Sequence, residues 1–437
     1  MLLFYTHTRT ARLQYIIDFF SKELFDEPIL VTTDKDQFRE SVGFKLNYST
    51  TEFSEKEFYV HSTELLFEKD IRHKNIECFE VNFHKAFFQT PGDFPFDIFA
   101  ASFYLLSRYE EYLPHEKDSY GRFAHTASLA FRENFLQQPL VNIWLVEFKK
   151  ALLHKFPAIT FKHVEFKNML TYDIDIAYSY LYKGFIRTVG GFARSVLKAD
   201  WPAIEERWEV LAKEKTDPYD CYEWLDALHL YCRVRPYFFF LVAKKQRGYD
   251  KNIPTNAKPF KELIEYYAAA YDVGIHPSWQ SGDDLSLLKE ETEWLEVVAE
   301  RSVISSRQHY IRFTFPHTFR ALIDAGIRKD FSMGYGSING FRASACSSFP
   351  WFDLEKNETT GLMLYPFCFM DANSFYEQKQ SPDQSYKELM HYYDTVKRLN
   401  GLVITIWHNH ILGTDKQFKG WKEMFELFMK ETVYWDS

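Results

Sequence analysis

Asn168-Met-Leu-Thr-Tyr-Asp-Ile-Asp175 is a short apolar run that ends in two acids. It predicts a strand over 169–175, and on a strand side chains two residues apart point to the same face. Asp173 and Asp175 therefore face the same way at a strand end. Like charges so placed repel unless positive charge lies between or beside them. A divalent cation with oxygen ligands is the usual solution, and one acid can then hold the ion while the other stays free as a base. A strand-end turn carrying two solvated carboxylates is the alternative, and the run alone weighs the two equally.

Working outward, Phe156-Pro157 marks a boundary. Downstream of it, strands and helices alternate. Strands are predicted over 169–175, 236–242, 272–276, 303–310, 329–333, 362–371 and 401–408. Helices are predicted over 258–271, 283–302, 315–325, 383–399 and 421–429. Such alternation means a parallel sheet with crossover helices, here a closed or nearly closed barrel over 161–437. The 178–235 stretch, interrupted at Gly190-Gly191, Pro202 and Pro218, is too long for an ordinary connection and reads as a helical insertion over the site. Barrels of this kind carry their active sites at the C-terminal ends of the strands. Asp173, Asp175, His276, Arg307, His309, Asp371 and His408 all fall at such predicted ends, which a core does not explain.

Residues 1–160 read as a smaller α+β domain. Thr10 and Asp97 are candidate N-caps, and short strands are predicted over 29–32 and 57–61. Arg108, Glu110 and Glu111 end the helix after Asp97 and read as an ion-paired or solvated helix end in preference to a ligand grip. No catalytic constellation is legible here.

Composition narrows the function classes. The chain has 437 residues, 19% aromatic, with Phe 43 and Tyr 28, which argues for packed domains. A net charge of -9 without a basic block argues against a nucleic-acid partner. The five cysteines, Cys78, Cys221, Cys232, Cys346 and Cys368, are scattered without a CxxC pair, so reduced thiols are expected in place of a disulfide framework. No apolar run reaches the roughly 18–20 residues of a membrane span. The first residues also lack a basic segment followed by an apolar core. A cytoplasmic location follows as an expectation.

The constellation resembles the NodB-type polysaccharide deacetylases, carbohydrate esterase family 4. That resemblance implies a distorted (β/α)7 barrel, a divalent metal (zinc, Zn2+, the leading candidate) and removal of acetyl groups from an N-acetylated sugar. Thr171-Tyr-Asp-Ile-Asp175 resembles the first motif, which makes Asp173 the base and Asp175 a metal ligand. His276-Pro-Ser-Trp-Gln280 resembles the second, with His276 as its first metal histidine. Phe341-Arg-Ala-Ser344 resembles the motif whose arginine holds the catalytic Asp, which assigns Arg342 to that task and Asp371 to steadying Arg342. Ile406-Trp-His408 resembles the last motif and makes His408 the acid that protonates the leaving amine, although His410 lies close by. The N-terminal part resembles an uncharacterised domain found ahead of deacetylase-like barrels, which implies no function.

Two departures stand out. The second metal histidine of the family falls at Gln280, a poor zinc ligand, and Ser344 and Ala345 replace Pro and Tyr after Arg342. His309 can supply the missing nitrogen from another strand; a hydrogen-bonded residue at the barrel mouth is an equal alternative. Trp279, Trp351 and Trp407 either stack on sugar or simply pack. The expected function is metal-dependent hydrolysis of an acetyl amide or ester. The alternative is a catalytically impaired module that binds a glycan or a glycan-synthesis partner.

Overall fold

The computed structural model describes residues 2–433, and two mainly parallel sheets organise them. The first holds β1 (Leu2–Thr6), β2 (Leu30–Thr32), β3 (Phe44–Ser49) and β4 (Phe58–His61) in the order β2-β1-β3-β4. A small antiparallel pair follows, β5 (Phe79–Val81) with β6 (His84–Ala86). β1 escaped the sequence reading because it is flanked on both edges and nearly all buried, so it shows no alternation of apolar and polar residues. The helices start where their caps predict. The Thr10 hydroxyl accepts from Leu13 N at the head of Ala11–Leu24. Asp97 accepts from Ala100 N at the head of Ile98–Leu106 and also from Tyr48 Oη and Thr63 N. Every residue of that second helix is buried, as its all-round apolar sequence requires.

The second sheet holds β7 (Lys167–Ile174), β8 (Tyr237–Leu241), β9 (Asp272–His276), β10 (Ser305–Ser306), β11 (Lys329–Asp330), β12 (Phe349–Asp353), β13 (Glu358–Leu364), β14 (Phe369–Met370) and β15 (Leu402–His408). Their order is β12-β13-β11-β10-β9-β8-β7-β15-β14, parallel throughout except for the β12–β13 pair. Register positions the chemistry. His408 pairs with Asp173 across β15 and β7, Asp173 with Phe239 across β7 and β8, and His276 with Leu241 at the end of β9. Buried side chains of Phe238, Phe239 and Phe240 fill both faces of β8.

Two expectations are corrected here. The predicted strand 362–371 is two strands, β13 and β14, parted by Tyr365-Pro366, and β12 is an additional strand. Pro350 inside β12 is tolerated because β12 is the sheet's edge, where a proline interrupts no ladder. A closed seven-stranded ladder is also not what the pairing gives, for among the described residues no ladder joins β14 to β12 or β13. The loop after β11 spans that seam through single bonds instead: Gly340 N donates to Cys368 O, Met370 N to the Asn339 side chain, and the Asn373 amide to Tyr335 O. Residues 178–235 form helices Phe185–Leu197, Trp201–Leu211 and Tyr222–Cys232. Among the described residues no helix is long and apolar enough to cross a membrane.

The two sheets are tied by buried charge. Glu111 accepts from Arg108 Nε at 2.7 Å and from Arg342 Nε and Nη2 at 2.8 and 2.6 Å. Arg108 also reaches Glu110, whose other oxygen accepts from Leu129 N. Burial pushes the Glu111 carboxyl up, but the Arg342 and Arg108 guanidinium groups outweigh it and hold it at about 2. Because the folded value lies below the ordinary 4.5, the stability Glu111 contributes is complete above that range and is lost as pH falls towards 2. Glu111→Ala leaves the buried Arg342 guanidinium without a carboxylate and takes one of two from Arg108, and is expected to cost ~3–5 kcal/mol at neutral pH. Denaturant melts of wild type and variant check this. Their difference should shrink on acidification, and a variant as stable as wild type at pH 7 would refute the coupling.

Candidate metal centre

Asp173 and Asp175 project to one side of the end of β7, as their spacing predicts. His276 Nε2 stands 3.9 Å from Asp173 Oδ2 and 3.1 Å from Asp175 Oδ1. His309 Nε2 stands 3.8 Å from Asp175 Oδ2, and His408 Nε2 3.6 Å from the same oxygen. Asp175, His276 and His309 each offer one ligand atom within 4.8 Å of the others.

Each imidazole is turned by its other nitrogen. His276 Nδ1 lies 2.6 Å from Arg307 O. His309 Nδ1 lies 3.1 Å from Asp250 Oδ1, and His408 Nδ1 lies 2.6 Å from Asp371 Oδ1. For His276 and His309, acceptors of this kind can claim the Nδ1 proton and leave the Nε2 lone pair facing inward, the arrangement in which histidines ligate metals. Asp175 Oδ1 is buried yet accepts no well-formed hydrogen bond, which is costly unless something else satisfies it. One carboxylate, two imidazoles and an orphaned buried oxygen fit a divalent ion of the zinc type with open positions left over.

The surrounding electrostatics agree. Burial would raise the pKa of Asp175, but His309, His276 and His408 bring it well below the usual carboxylate range. Burial pulls His408 down, yet the Asp371 carboxylate wins and lifts it to about 9. Burial and the neighbouring His408 push His410 down to about 3, which separates the two histidines left open by the sequence. His408 presents a charged Nε2 to the acids; His410 is neutral.

Two sequence assignments are corrected. The arginine on Asp173 is Arg307, whose Nη1 donates to Oδ1 at 2.7 Å. Arg342 is committed instead to Glu111 and Gly334 O. A buried guanidinium on a bidentate carboxylate has no free edge for a second one. Asp371 accordingly does not steady Arg342; it accepts from His408 through both its backbone N and its ring. Gln280 does not face the ion site. Its amide donates to Lys245 O and to Asp250, and Asp250 in turn holds His309. Trp351 and Trp407 are core residues. Trp279 packs beside Tyr249 and under Arg312.

The sequence reading missed Asp250, which accepts from Trp279 N, Gln280 and His309. Its only signal was its place in the loop after a strand end. Also missed was the part played by residues 118–122. Tyr120 and Arg122 line the same cavity of about 580 Å³ as Asp173, Asp175, His276, His309 and His408. Gly336 makes room there, since a Cβ would lie 2.8 Å from Tyr310 O and closer still to Arg122. Tyr310 and Ile311, next to His309, both adopt left-handed backbone, φ 57° and 54°, strain of the kind that collects at functional sites. A larger cavity, about 650 Å³, is lined by residues such as His84, Glu147 and Arg398; it contains none of the converging acids and imidazoles, so the chemistry favours the smaller one.

Residues 2–157 match a sequence family described as "Family of unknown function (DUF7033)". No curated protein matches the chain. Among solved structures, the chain is similar to a putative polysaccharide deacetylase from Mycobacterium smegmatis, at 13% identity over 63% of this chain and 86% of that one, with a TM-score of 0.41. It is also similar to a probable polysaccharide deacetylase from Pseudomonas aeruginosa PAO1, at 10% identity over 62% and 86%, TM-score 0.41. A polysaccharide deacetylase from Bacillus cereus is similar at 11% identity over 61% and 88%, TM-score 0.31.

Asp250→Ala removes the acceptor that orients His309. It is expected to weaken zinc binding by ~10–100-fold while the fold is kept. Competition with a coloured chelator measures this; unchanged affinity would exclude His309 as a ligand held by Asp250.

Proposed function

We propose that this protein is a metal-dependent hydrolase that removes acetyl, or similar acyl, groups from an N-acetylated sugar or polysaccharide. The observation that carries this reading is the convergence of Asp175, His276 and His309 within 4.8 Å, flanked by one arginine-held acid and one acid-held histidine. A bound divalent cation, zinc by the nature of these donors, supplies an acidified water and a polarised acyl carbonyl.

The remaining chemistry belongs to side chains. Arg307 donates to Asp173 Oδ1, so Oδ2 is the atom left to take a proton from water. The water oxygen bonds to the acyl carbon, and the carbon–nitrogen bond breaks. Asp371 fixes His408 through Nδ1, so Nε2 hands its proton to the departing amine. Acetic acid, which gives its own proton to solvent, and the free amine leave, and the proton held by Asp173 passes back to His408. The half-buried rings of Tyr120 and Tyr310, which lie 5.4 Å apart by their centroids, offer apolar faces to a sugar at the cavity wall.

The alternative, a module that binds glycan without turnover, drew its support from the histidine missing at Gln280. With His309 offering a nitrogen to the same group, that support falls away. Purified protein is expected to contain one divalent ion per chain, removable by chelator with loss of deacetylase activity and restored by zinc. A metal-free protein that still binds glycan would favour the module instead. Asp173→Asn is expected to lower turnover by ~10²–10⁴-fold with metal content unchanged, measured as acetate release from N-acetylated oligosaccharides. A fully active Asn variant removes Asp173 from the role of base.

A further inference from the structure

The strand ends around the metal centre form a ring that is broken at the seam between β14 and the β12–β13 edge. A cavity left open there would let a polymer run past the acids and imidazoles. The turn 118–122, from the first part of the chain, stands at that side. Arg122 Nη1 donates to Tyr310 O at 2.6 Å, in the loop after β10. Gly336, in the loop after β11, lies so near that a Cβ there would be 2.1 Å from the same nitrogen. The Tyr120 ring meets Tyr310 at 5.4 Å, Tyr249 at 5.7 Å and Trp279 at 6.1 Å by their centroids. Glu377 lines the cavity from the loop after β14, across the seam. Burial first, and then the Glu377 carboxylate, raise the Tyr120 phenol above its ordinary value, so the ring lies within that acid's field.

The turn is braced. Asp118 Oδ1 accepts from Tyr120 N at 2.9 Å and from Arg122 N at 3.0 Å, and Oδ2 accepts from Arg122 Nε at 2.6 Å. Asp118 N donates to Arg122 O at 2.9 Å, and the Arg122 guanidinium stands 4.7 Å over the Tyr120 ring. Charge-assisted bonds of this kind are the strong ones, and they make the turn a wall of fixed position. The cavity that results, about 580 Å³, has the size of sites that enclose one small molecule, roughly 300–1,000 Å³. A chain interior needs two exits from such a site, and a chain end needs one. We propose that the turn 118–122 makes this site a cup for a short glycan or a chain end of about one or two sugar rings, and bars the interior of a polymer. The inference rests on the preceding reading in taking the ligand to be an N-acetylated sugar, and it gives the first part of the chain a task in choosing the substrate.

The test uses the zinc-loaded full chain and N-acetylglucosamine oligomers of one to six units, with mass spectrometry locating each lost acetyl group. Wild type is expected to deacetylate the hexamer only within its terminal two units. Tyr120→Ala shortens the wall and leaves the Arg122 bond to Tyr310 O in place; it should raise the share of interior units that react on the order of tenfold. Tyr120→Phe keeps the ring and should keep the wild-type pattern. Interior units that react in wild type as readily as the ends overturn the inference, and so does a folded Tyr120→Ala with the wild-type pattern. The wild-type pattern decides by itself where the Ala variant does not fold. Should wild type release no acetate at any length, the hydrolase reading fails, and calorimetry with the same oligomers decides the inference. Affinity that levels off at two units supports the cup; affinity that keeps rising to six units, or no binding at any length, overturns it.

Discussion

Two carboxylates, two residues apart at the end of β7, have to coexist where little water reaches them. Placing both charges side by side in a poorly solvated wall costs several kcal/mol unless each has a counter-charge. The two acids solve this differently. Asp173 is paired directly with Arg307 through a short hydrogen bond. Asp175 is ringed by three imidazoles at 3.1 to 3.8 Å and left with an unsatisfied oxygen. On the proposed reading this asymmetry divides their labour: the arginine-paired acid keeps an oxygen free for a proton, and the acid among imidazoles belongs to the ligand set. The imidazoles depend in turn on acceptors behind them, a backbone carbonyl for His276 and the buried carboxylates of Asp250 and Asp371 for His309 and His408.

Much of this was legible because strand periodicity and strand ends are local properties. Asp173, Asp175, His276, His309 and His408 could be placed at one edge of a sheet by counting residues, and they meet there. The pairing of Arg307 with Asp173 was not legible in the same way. Arg307 and Arg342 both follow short strands or turns, and the choice between them is decided by which buried acid each meets across the fold. Glu111, from the first part of the chain, is that acid for Arg342, 231 residues away in sequence. Asp250 was illegible for a similar reason. It sits in a loop with no periodicity, and its importance comes from backbone and side-chain donors that converge on it only after folding.

The first part of the chain is not a passive neighbour of the site. Arg342 belongs to the segment that spans the seam between the sheet's edges, and Glu111 grips it bidentately from the helix end beyond Ile98–Leu106. The turn after that helix end carries Tyr120 and Arg122 into the cavity wall, with Arg122 Nη1 donating to Tyr310 O at 2.6 Å, one residue past His309. The strained left-handed backbone at Tyr310 is thus held from the opposite part of the molecule. A charged helix end that reads in sequence as ion-paired or solvated is, in the folded chain, a buried ion-paired clasp across the two sheets.

On the proposed reading, the nitrogen that the motif resemblance expects at Gln280 is supplied by His309. An ion responds to the position and lone pair of a nitrogen and is indifferent to the strand that supplies it. His309 reaches Asp175 from the loop after β10, and Gln280 has become a support two bonds removed, donating to Asp250, which holds His309. A glutamine can do this where a histidine ligand would not, because its amide donates to Lys245 O and to Asp250 at once. On that reading position 280 is not a ligand, and its side chain supports the centre through Asp250.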